Sequence, residues 1–312
     1  MATFSHFNET TTGDEVVSAF SNEVAGRVFL ITGPTTGSIG AFTAVALAKG
    51  KPSCIILAGR APERFQDVVN EIRSLDANIN VFSVILDLAS FASVRNAANK
   101  ILQNAEIPRL DVLINNAAIM AQPFHLTSDG IESQFQVNHL GHFLLTNLLL
   151  PKLKLSEKPT VINVSSGGHR FAHWDYNDYN WEKRPYNVWQ GYGQGKAGNV
   201  LLSVSLAQRG IYSLSLNPGR TEGTQLGAHL TMDNINDLMA VMAITENMEP
   251  MILKNTAQGA ATTLVAALDP NVPNGNYLNE CQVYPAHSRA TDPELAQTLW
   301  DLSNKLTGEK FV

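Results

Sequence analysis

The sequence predicts a single-domain α/β Rossmann fold, a doubly wound parallel sheet of about seven strands. Short apolar runs without polar alternation recur along the chain, which is typical of strands buried on both faces. Helical stretches separate these runs, and such βαβα alternation favours a parallel sheet with right-handed crossovers. The first apolar run ends in a glycine-rich turn, which is where sheets of this kind often bind a dinucleotide.

The composition is that of an ordinary globular protein. The chain has 312 residues, of which 44% are apolar and 16% charged, and its formal net charge is −6. These values exclude a disordered chain and give no basic surface for nucleic acid. Residues 1–21 contain no apolar signal segment, and no apolar run approaches the roughly 18 residues that span a bilayer. We therefore expect a cytoplasmic protein without a membrane anchor, whose partner is a small-molecule substrate.

The elements follow one another in a regular order. Strands are predicted at residues 28–32, 53–58, 81–86, 112–115, 161–164 and 213–216, with a seventh at 275–278. Helices are predicted at residues 41–49, 63–75, 90–104, 133–155, 192–209, 256–268 and 293–306. Residues 1–25 form an N-terminal extension in which residues 14–20 have the pattern of a short helix. Residues 26–312 form the domain.

The turn after the first strand predicts a phosphate-binding loop. Its glycines have the spacing Gly-x3-Gly-x2-Gly, which allows a tight turn and a close approach of the backbone to a pyrophosphate. The following helix presents free N–H groups and the positive end of its dipole to an anion. The alternative is a glycine-rich turn that binds nothing. The predicted contacts are Gly33, Thr35, Gly37, Ser38, Ile39 and Gly40.

The residue after the second strand bears on the choice of cofactor. In a dinucleotide site this strand end faces the adenosine ribose, where an acidic side chain would accept from the 2′-hydroxyl of NAD. Arg60 stands there instead, and an arginine suits a 2′-phosphate through charge-assisted hydrogen bonds. The alternative is an ordinary solvated charge. The sequence thus favours NADP(H) over NAD(H).

Tyr192 and Lys196 are four residues apart on a predicted helix and therefore share one face. A free phenol has a pKa of about 10, and a neighbouring ammonium lowers it. This pair is thus a candidate acid–base group. His139 and His142 lie three residues apart, but no carboxylate or cysteine completes a ligand set. We predict no metal and interpret both histidines as packing or hydrogen-bonding residues.

A series of short motifs resembles the short-chain dehydrogenase/reductase family, and the resemblance covers roughly residues 26–306. The retinol-dehydrogenase-like branch and its fungal-type relatives are the most similar, through the Asn138 to Phe143 string and the C-terminal segment. The motifs, in the family's order, are the glycine loop, Asp87-Leu88, Asn115-Asn116-Ala117-Ala118, Asn138-His139-Leu140-Gly141-His142-Phe143, Ser165-Ser166, Tyr192-x3-Lys196 and Asn217-Pro218-Gly219.

The resemblance implies roles for these residues. Ser166 is the catalytic serine, with Ser165 as the alternative, and Tyr192 transfers a proton at the substrate oxygen. Lys196 lowers the Tyr192 pKa and binds the nicotinamide ribose, while Asn138 holds a water that leads to solvent. Further cofactor contacts are implied at Asp87, Leu88, Asn115, Asn116, Ala117, Pro218, Gly219 and Thr221.

Two segments are predicted to contact the substrate, near residues 167–190 and 220–255. The first contains three of the four tryptophans, Trp174, Trp181 and Trp189. It provides either an aromatic wall for a bulky substrate or a small core of its own. The second is rich in methionine and leucine at near-helical spacing, which predicts an adaptable apolar lid.

The sequence thus predicts an NADP(H)-dependent oxidoreductase that interconverts a carbonyl and an alcohol on a bulky apolar molecule, including those of secondary metabolism. The alternatives are a reductase of an imine or enone, a sugar-nucleotide epimerase or dehydratase, and a non-catalytic NADP-binding protein. The predicted helices at 133–155 and 192–209 carry broad apolar faces, and relatives pair there. We therefore expect a homodimer or homotetramer.

Overall fold

One mostly parallel sheet organises the chain. The computed structural model describes residues 6–312, and its main sheet has the strand order β10-β9-β6-β5-β4-β1-β2-β3. Only β10 runs antiparallel to its neighbour. Two further short strands, β7 and β8, pair with each other. The strands are β1 Val28–Thr32, β2 Cys54–Gly59, β3 Asn80–Ile85, β4 Val112–Asn115, β5 Thr160–Val164, β6 Tyr212–Asn217, β7 Arg220–Thr221, β8 Leu253–Lys254, β9 Tyr277–Asn279 and β10 Gln282–Val283.

Helices cover both faces of this sheet. Most begin at a side-chain cap, such as Ser38 and Ser90, whose hydroxyls accept from the N–H groups of Ala41 and Ser93. The helices are α1 Gly13–Ala19, α2 Ile39–Lys49, α3 Gln66–Leu75, α4 Phe91–Gln103, α5 Ser133–Phe135, α6 Gly141–Leu153, α7 Val188–Gln208, α8 Met232–Ile244, α9 Thr256–Leu268 and α10 Pro293–Thr307. No helix within residues 6–312 is both long and apolar enough to cross a membrane.

Alternate residues of each strand point into two separate cores. Phe29 and Ile31 of β1 join the core under α1, α2, α3 and α9. Val28 and Leu30 join the core under α4, α6, α7 and α10. Because β1 lies between β2 and β4, the connections leave it in opposite directions, which opens a crevice at the carboxyl ends of the strands. The predicted single-domain, doubly wound fold is confirmed.

The structure corrects several predicted elements. The helix at residues 133–155 is interrupted by a π-helical turn, Gln136–Leu140, between α5 and α6. Helix α7 begins four residues before the predicted start because the Asn187 side chain accepts from the N–H groups of Trp189 and Gln190. Strands β7, β8 and β10 were not predicted, since two residues carry no readable pattern.

The N-terminal segment is packed onto the domain. Its predicted short helix is α1, where Val16 and Val17 are buried against α2 and α9. Lys49 and Asp14 form an ion pair at 2.6 Å, and Phe7 is buried in the same core. The described part of the extension therefore completes one face of the sheet.

Helix α10 covers the faces of α6 and α7 on which the expected pairing of subunits rested. The ring of Trp300 packs edge-on against Phe143 at 4.9 Å, and Phe311 packs against the same ring at 5.8 Å. The Ser205 hydroxyl on α7 donates to the carbonyl of Ala296. The chain thus buries part of these faces itself.

We expect Val16→Ala to lower the free energy of unfolding by about 1–2 kcal/mol, because it removes two buried carbons and leaves a small cavity. Urea denaturation followed by circular dichroism would measure the change. Val312→Ala is the control, since Val312 is fully exposed. An unchanged midpoint for Val16→Ala would show that the N-terminal segment lies outside the cooperative core.

Candidate active site

The structure brings Ser166 and Tyr192 together at the crevice. Ser166 follows β5 and caps a 3-10 turn, Gly167–Phe171, in which its hydroxyl accepts from the Gly168 N–H at 3.0 Å. Tyr192 lies in the first part of α7, next to Ser166: its ring and the Ser166 Oγ lie 2.9 Å and 3.3 Å from the position that a Cβ on Gly168 would take. Tyr192 is buried, whereas Ser166 is half-buried at the edge of the sheet.

Glycines allow α7 to come this close. A Cβ on Gly193 would lie 2.8 Å from the Gly168 carbonyl oxygen, and one on Gly168 would lie 2.9 Å from the Tyr192 ring. Similarly, a Cβ on Gly195 would lie 2.9 Å from Asn138. Glycine inside a helix costs roughly 0.5–1 kcal/mol relative to alanine, so each of these positions carries a cost that the contact offsets. Sequence reasoning did not use Gly191, Gly193 and Gly195, although their alternation around Tyr192 was the available signal.

Lys196 holds α7 against the end of β5. Its Nζ donates to the carbonyl of Val164 at 2.9 Å and lies 5.8 Å from the centroid of the Tyr192 ring. The buried Ser165 hydroxyl donates to the carbonyl of Lys196 at 2.7 Å. Ser165 therefore has a structural bond of its own, and of the two serines it is the Ser166 side chain that lies beside the Tyr192 ring.

Burial dominates the protonation of the Tyr–Lys pair. It raises the pKa of Tyr192 to about 12, a rise that the Ser166 side chain only reduces. It also lowers the pKa of Lys196 to about 7. The expected lowering of the Tyr192 pKa by Lys196 is therefore wrong for this structure. The reason is that the ammonium bonds to Val164 rather than to the phenol, while both groups are removed from water.

Asn138 lies in the π-helical turn and braces the loop after β4. Its Oδ1 accepts from the Ile119 N–H and its Nδ2 donates to the Ile119 carbonyl, both at 2.9 Å. The backbone carbonyl of Asn138 lies 3.1 Å from Nδ1 of His142. Asn138 thus fixes backbone next to the site, and the water role implied by the resemblance stays a prediction.

A hydrogen-bond network links β1 to this helix. The Thr32 hydroxyl accepts from the N–H groups of Asn116 and Ala117, so its own proton is donated to Nε2 of His142 at 3.0 Å. His142 therefore carries its proton on Nδ1 and donates to Asn138. Burial lowers the pKa of His142 to about 4, which keeps the ring neutral. This bears out the interpretation of His142 as a hydrogen-bonding residue.

The glycine loop has the shape that a pyrophosphate requires. Gly33 has a positive φ, and a Cβ there would lie 2.8 Å from the Cα of Ala117. A Cβ on Gly40 would lie 2.7 Å from the Gly33 carbonyl oxygen. Gly37 also has a positive φ, but apart from Gly37 and its two neighbours in the chain no atom of residues 6–312 lies within 4 Å of its Cβ position. The loop is therefore closed on its inner side and open to a ligand at Gly37, beside the N-terminus of α2.

The predicted cofactor residues near this loop differ in whether their side chains could contact a ligand. Arg60 is exposed just after β2, and Thr36 of the loop bonds to the carbonyl of Arg64. The Asn116 side chain donates to the Thr32 carbonyl and so shapes the loop. Asn115 is fully buried and donates to Thr146 and Asn163. Its side chain supports the sheet, so the contact with the cofactor predicted for Asn115 would fall to its backbone and stays a prediction.

The remaining predicted contacts lie after β3 and β6. One oxygen of Asp87 accepts from the N–H of Ala89, and Leu88 packs against Gly141. Gly219, after Pro218, has a positive φ, and its N–H donates to Asn217. The Thr221 hydroxyl is directed at α9, where a Cβ on Gly259 would lie 2.5 Å from it. Only a local shift would make that hydroxyl available to a ligand.

The aromatic segment after Ser166 divides between the two predicted roles. Trp181 packs against Tyr186 at 5.1 Å and Trp174 stacks on His287 at 4.6 Å, so both belong to local cores. Phe171 and Trp189 instead join an apolar cluster beneath α8. The Trp189 indole N–H donates to the Asn234 carbonyl at 2.7 Å and so binds α8 directly. The other members of this cluster are Met120, Ala121, Val188, Leu230, Leu238, Val241, Met242 and Met248.

A glycine-rich dinucleotide loop and a buried Ser–Tyr–Lys group at the carboxyl edge of one sheet define the class as a nicotinamide-dependent oxidoreductase. A model of the short chain dehydrogenase family matches residues 27–234. Retinol dehydrogenase 13 of Homo sapiens is 38% identical over 292 residues, covering 91% of this chain and 86% of that protein. An uncharacterized oxidoreductase of Schizosaccharomyces pombe is 33% identical over 303 residues, covering 91% of this chain and 86% of the relative.

The structural comparison gives the same result. The solved structure of an uncharacterized protein from Mycobacterium paratuberculosis has a TM-score of 0.70 and 32% identity, covering 92% of this chain and 96% of that one. The chain belongs to the short-chain dehydrogenase family and is similar to its retinol-dehydrogenase-like members, a fungal oxidoreductase among them. It is an oxidoreductase of a family that binds a nicotinamide cofactor.

We expect Lys196→Met to change how stability depends on pH. Between about pH 7 and the ordinary lysine value of 10.5, the unfolded chain holds a proton on Lys196 that the folded protein has released. The free energy of unfolding therefore gains a contribution that rises with pH in this window, and methionine removes it. Urea unfolding at pH 6.5, 7.5 and 8.5 should show that the free energy of unfolding rises more with pH in the wild type than in the variant. Lys100→Met, at an exposed position of α4, is the control, and parallel curves for wild type and Lys196→Met would contradict the burial argument.

Proposed function

We propose that the protein interconverts a carbonyl and an alcohol on a bulky apolar molecule with NADP(H). The observation that carries this proposal is the proximity of Tyr192 and Ser166, two proton-bearing groups at the sheet edge beside the dinucleotide loop, on either side of the Gly168 Cβ position. The family relationship supports the reaction type, and the name of retinol dehydrogenase 13 supports an apolar substrate. The cofactor supplies or accepts the hydride at the substrate carbon when bound.

The protein's own groups handle the substrate oxygen. In the direction of reduction, the Tyr192 hydroxyl donates its proton to that oxygen as hydride reaches the carbon, and oxidation reverses both transfers. The Ser166 hydroxyl already accepts from Gly168, so its proton is available to the same oxygen. Lys196, held on the Val164 carbonyl, lies near the phenolate that remains after transfer, and its protonated form, which prevails below about pH 7, stabilises that negative charge.

The substrate preference follows from the cluster beneath α8. Its members are apolar, and several are methionines, which adapt to ligands of different shape. A carbonyl held at Tyr192 and Ser166 would leave the body of its molecule against Phe171 and Trp189. This arrangement favours a hydrophobic aldehyde, ketone or secondary alcohol over a polyol. A cytoplasmic location stays a prediction, and a homo-oligomer, if formed, is proposed to pair away from α10.

The cofactor preference is proposed from Arg60. We expect Arg60→Glu to weaken NADPH use by about ten- to hundredfold, because a charge-assisted contact with the 2′-phosphate, of about 1.5–3 kcal/mol, is replaced by repulsion. Steady-state kinetics with NADPH and NADH would give the ratio of kcat/KM values. Arg73→Glu, an equal charge change at an exposed position of α3, should leave this ratio as it is. A wild-type enzyme that prefers NADH would overturn the NADP(H) assignment.

We expect Tyr192→Phe to lower kcat by about 10²- to 10⁴-fold, because the proton donor is lost while the binding surfaces remain. NADPH oxidation would be followed with hydrophobic aldehydes and ketones, and the reverse reaction with retinol. Fluorescence titration should show that the variant still binds NADPH. Tyr212→Phe, at the amino end of β6, is the control for losing a half-buried, hydrogen-bonded phenol. Turnover of small polyols without turnover of hydrophobic carbonyls would contradict the proposed substrate class.

A further inference from the structure

A buried ionic cluster lies directly behind Ser166. The Glu249 carboxylate accepts from the Tyr277 hydroxyl at 3.1 Å, from Asn217 Nδ2 at 2.9 Å and from Arg170 Nε at 3.3 Å. The side chains of Arg170 and Glu249 are only 5% and 2% exposed. Arg170 also donates to the carbonyl of Pro285. Donors from three separate segments of the chain therefore meet at one carboxylate.

This cluster supports the backbone that presents Ser166. Arg170 belongs to the 3-10 turn that Ser166 caps, and a Cβ on Gly167 would lie 3.3 Å from Glu249 Oε2. His169, in the same turn, bonds through Nδ1 to the Ser166 carbonyl at 2.7 Å. Nε2 of His169 accepts from the N–H of His287, so Nδ1 carries the proton and donates. The turn is thus tied to Ser166 at one end and to Glu249 along its length.

Glu249 also marks the end of the segment that packs on the apolar cluster of Phe171 and Trp189. We call residues 222–248 the flap; it contains α8. Both ends of the flap are rooted together, since β7 pairs with β8 and the Glu222 N–H donates to the Lys254 carbonyl at 2.9 Å. Between these ends the flap is held by the apolar cluster and by the bond from Trp189. Glu249 is the first residue after the flap, and its side chain points inward to the catalytic turn.

We infer that Glu249 is a positioning residue for the proposed reaction: through Arg170, it couples the flap to the backbone geometry of Ser166. The expected effect on kcat rests on the proposed function, whereas the coupling between the flap and the catalytic turn does not. When the flap lies over a substrate, the pair holds Gly167–Phe171 where the Ser166 hydroxyl lies beside Tyr192. Displacement of reacting groups by about 1 Å lowers turnover by roughly a hundredfold, so such a link acts on kcat.

The sheet offers a matched control at its opposite edge. Asp111, just before β4, is 3% exposed and accepts from Arg109 Nε at 2.9 Å and from the Val28 N–H at 2.8 Å. It is a buried, arginine-paired carboxylate like Glu249, but it lies at the amino ends of the strands. Asp111→Asn therefore reproduces the loss of a buried carboxylate charge without touching the catalytic turn.

The kinetic test compares Glu249→Gln with Asp111→Asn. Both variants should lose stability, because Glu249→Gln leaves the buried Arg170 without its partner and Asp111→Asn alters a buried acceptor of the Val28 N–H and of the more exposed Arg109. We expect Glu249→Gln alone to lower kcat, by about ten- to hundredfold, with NADPH binding retained. Equal kcat values for the two variants, per folded enzyme, would overturn the positioning role.

A double variant separates positioning from stability. Arg170→Met combined with Glu249→Gln removes both charges, so the uncompensated charge disappears and thermal stability should recover. The link to the turn remains broken, so kcat should stay as low as in Glu249→Gln. If kcat recovers together with thermal stability, the cluster is only structural and the inference is wrong.

Hydrogen exchange tests the coupling without any turnover. In Glu249→Gln, amides of residues 167–171 and of the flap should exchange faster together, beyond the general rise seen in Asp111→Asn. Faster exchange in the flap alone would refute the coupling. If the wild type reduces no carbonyl compound, the proposed function fails, whereas this exchange result still decides the link between flap and turn.

Discussion

The bond from the Lys196 ammonium to the Val164 carbonyl is the interaction on which the site depends. It attaches a helix to the last residue of β5, and Ser166 follows two residues later. An ammonium with little access to water needs such a partner, so α7 is held at one height along the strand. Tyr192, one turn earlier on the same face, is thereby set beside Ser166. The glycines of α7 make the approach possible, and the lysine fixes it.

Two kinds of buried polar group surround this bond. One kind is neutral: a hydrogen-bond network joins Thr32, His142 and Asn138, and each donated proton in it has one acceptor. The other kind is ionic, such as Arg170 with Glu249. Burying a neutral network costs little free energy when every donor and acceptor is satisfied. Burying an ion pair costs more, but it fixes the relative orientation of the two charged groups. The carboxyl edge of the sheet uses both, which explains why a small region can hold so many side chains in one arrangement.

The sequence predicts those elements of the fold whose pattern extends over many residues. The six main strands, the glycine loop and helix α9 follow from burial on both faces, turn chemistry and helical spacing. The π-helical turn at Gln136–Leu140 could not be predicted, because it follows from how Asn138 bonds to Ile119 across the fold. Helix α10 was predicted as a helix, but its packing over α6 and α7 was not. An amphipathic pattern shows that one face is buried and does not show which helices it packs against. The Tyr192 pKa was misjudged for a similar reason: spacing shows that an ammonium is near, but not which oxygen it bonds.

Glu249 illustrates the same limit more strongly. In the sequence it is one glutamate at the end of the segment predicted as an apolar lid, and nothing in its neighbours indicates burial. Its burial arises because Tyr277, Asn217 and Arg170 each bring a donor to the same point from distant parts of the chain. A carboxylate so placed would be a poor choice if stability alone were at stake, because apolar side chains of similar volume often serve as well or better. Glu249 lies between the flap and the catalytic turn. Directional hydrogen bonds hold two segments in one relative position better than apolar contacts do, because apolar surfaces can slide past each other while a carboxylate with three donors cannot move without losing bonds.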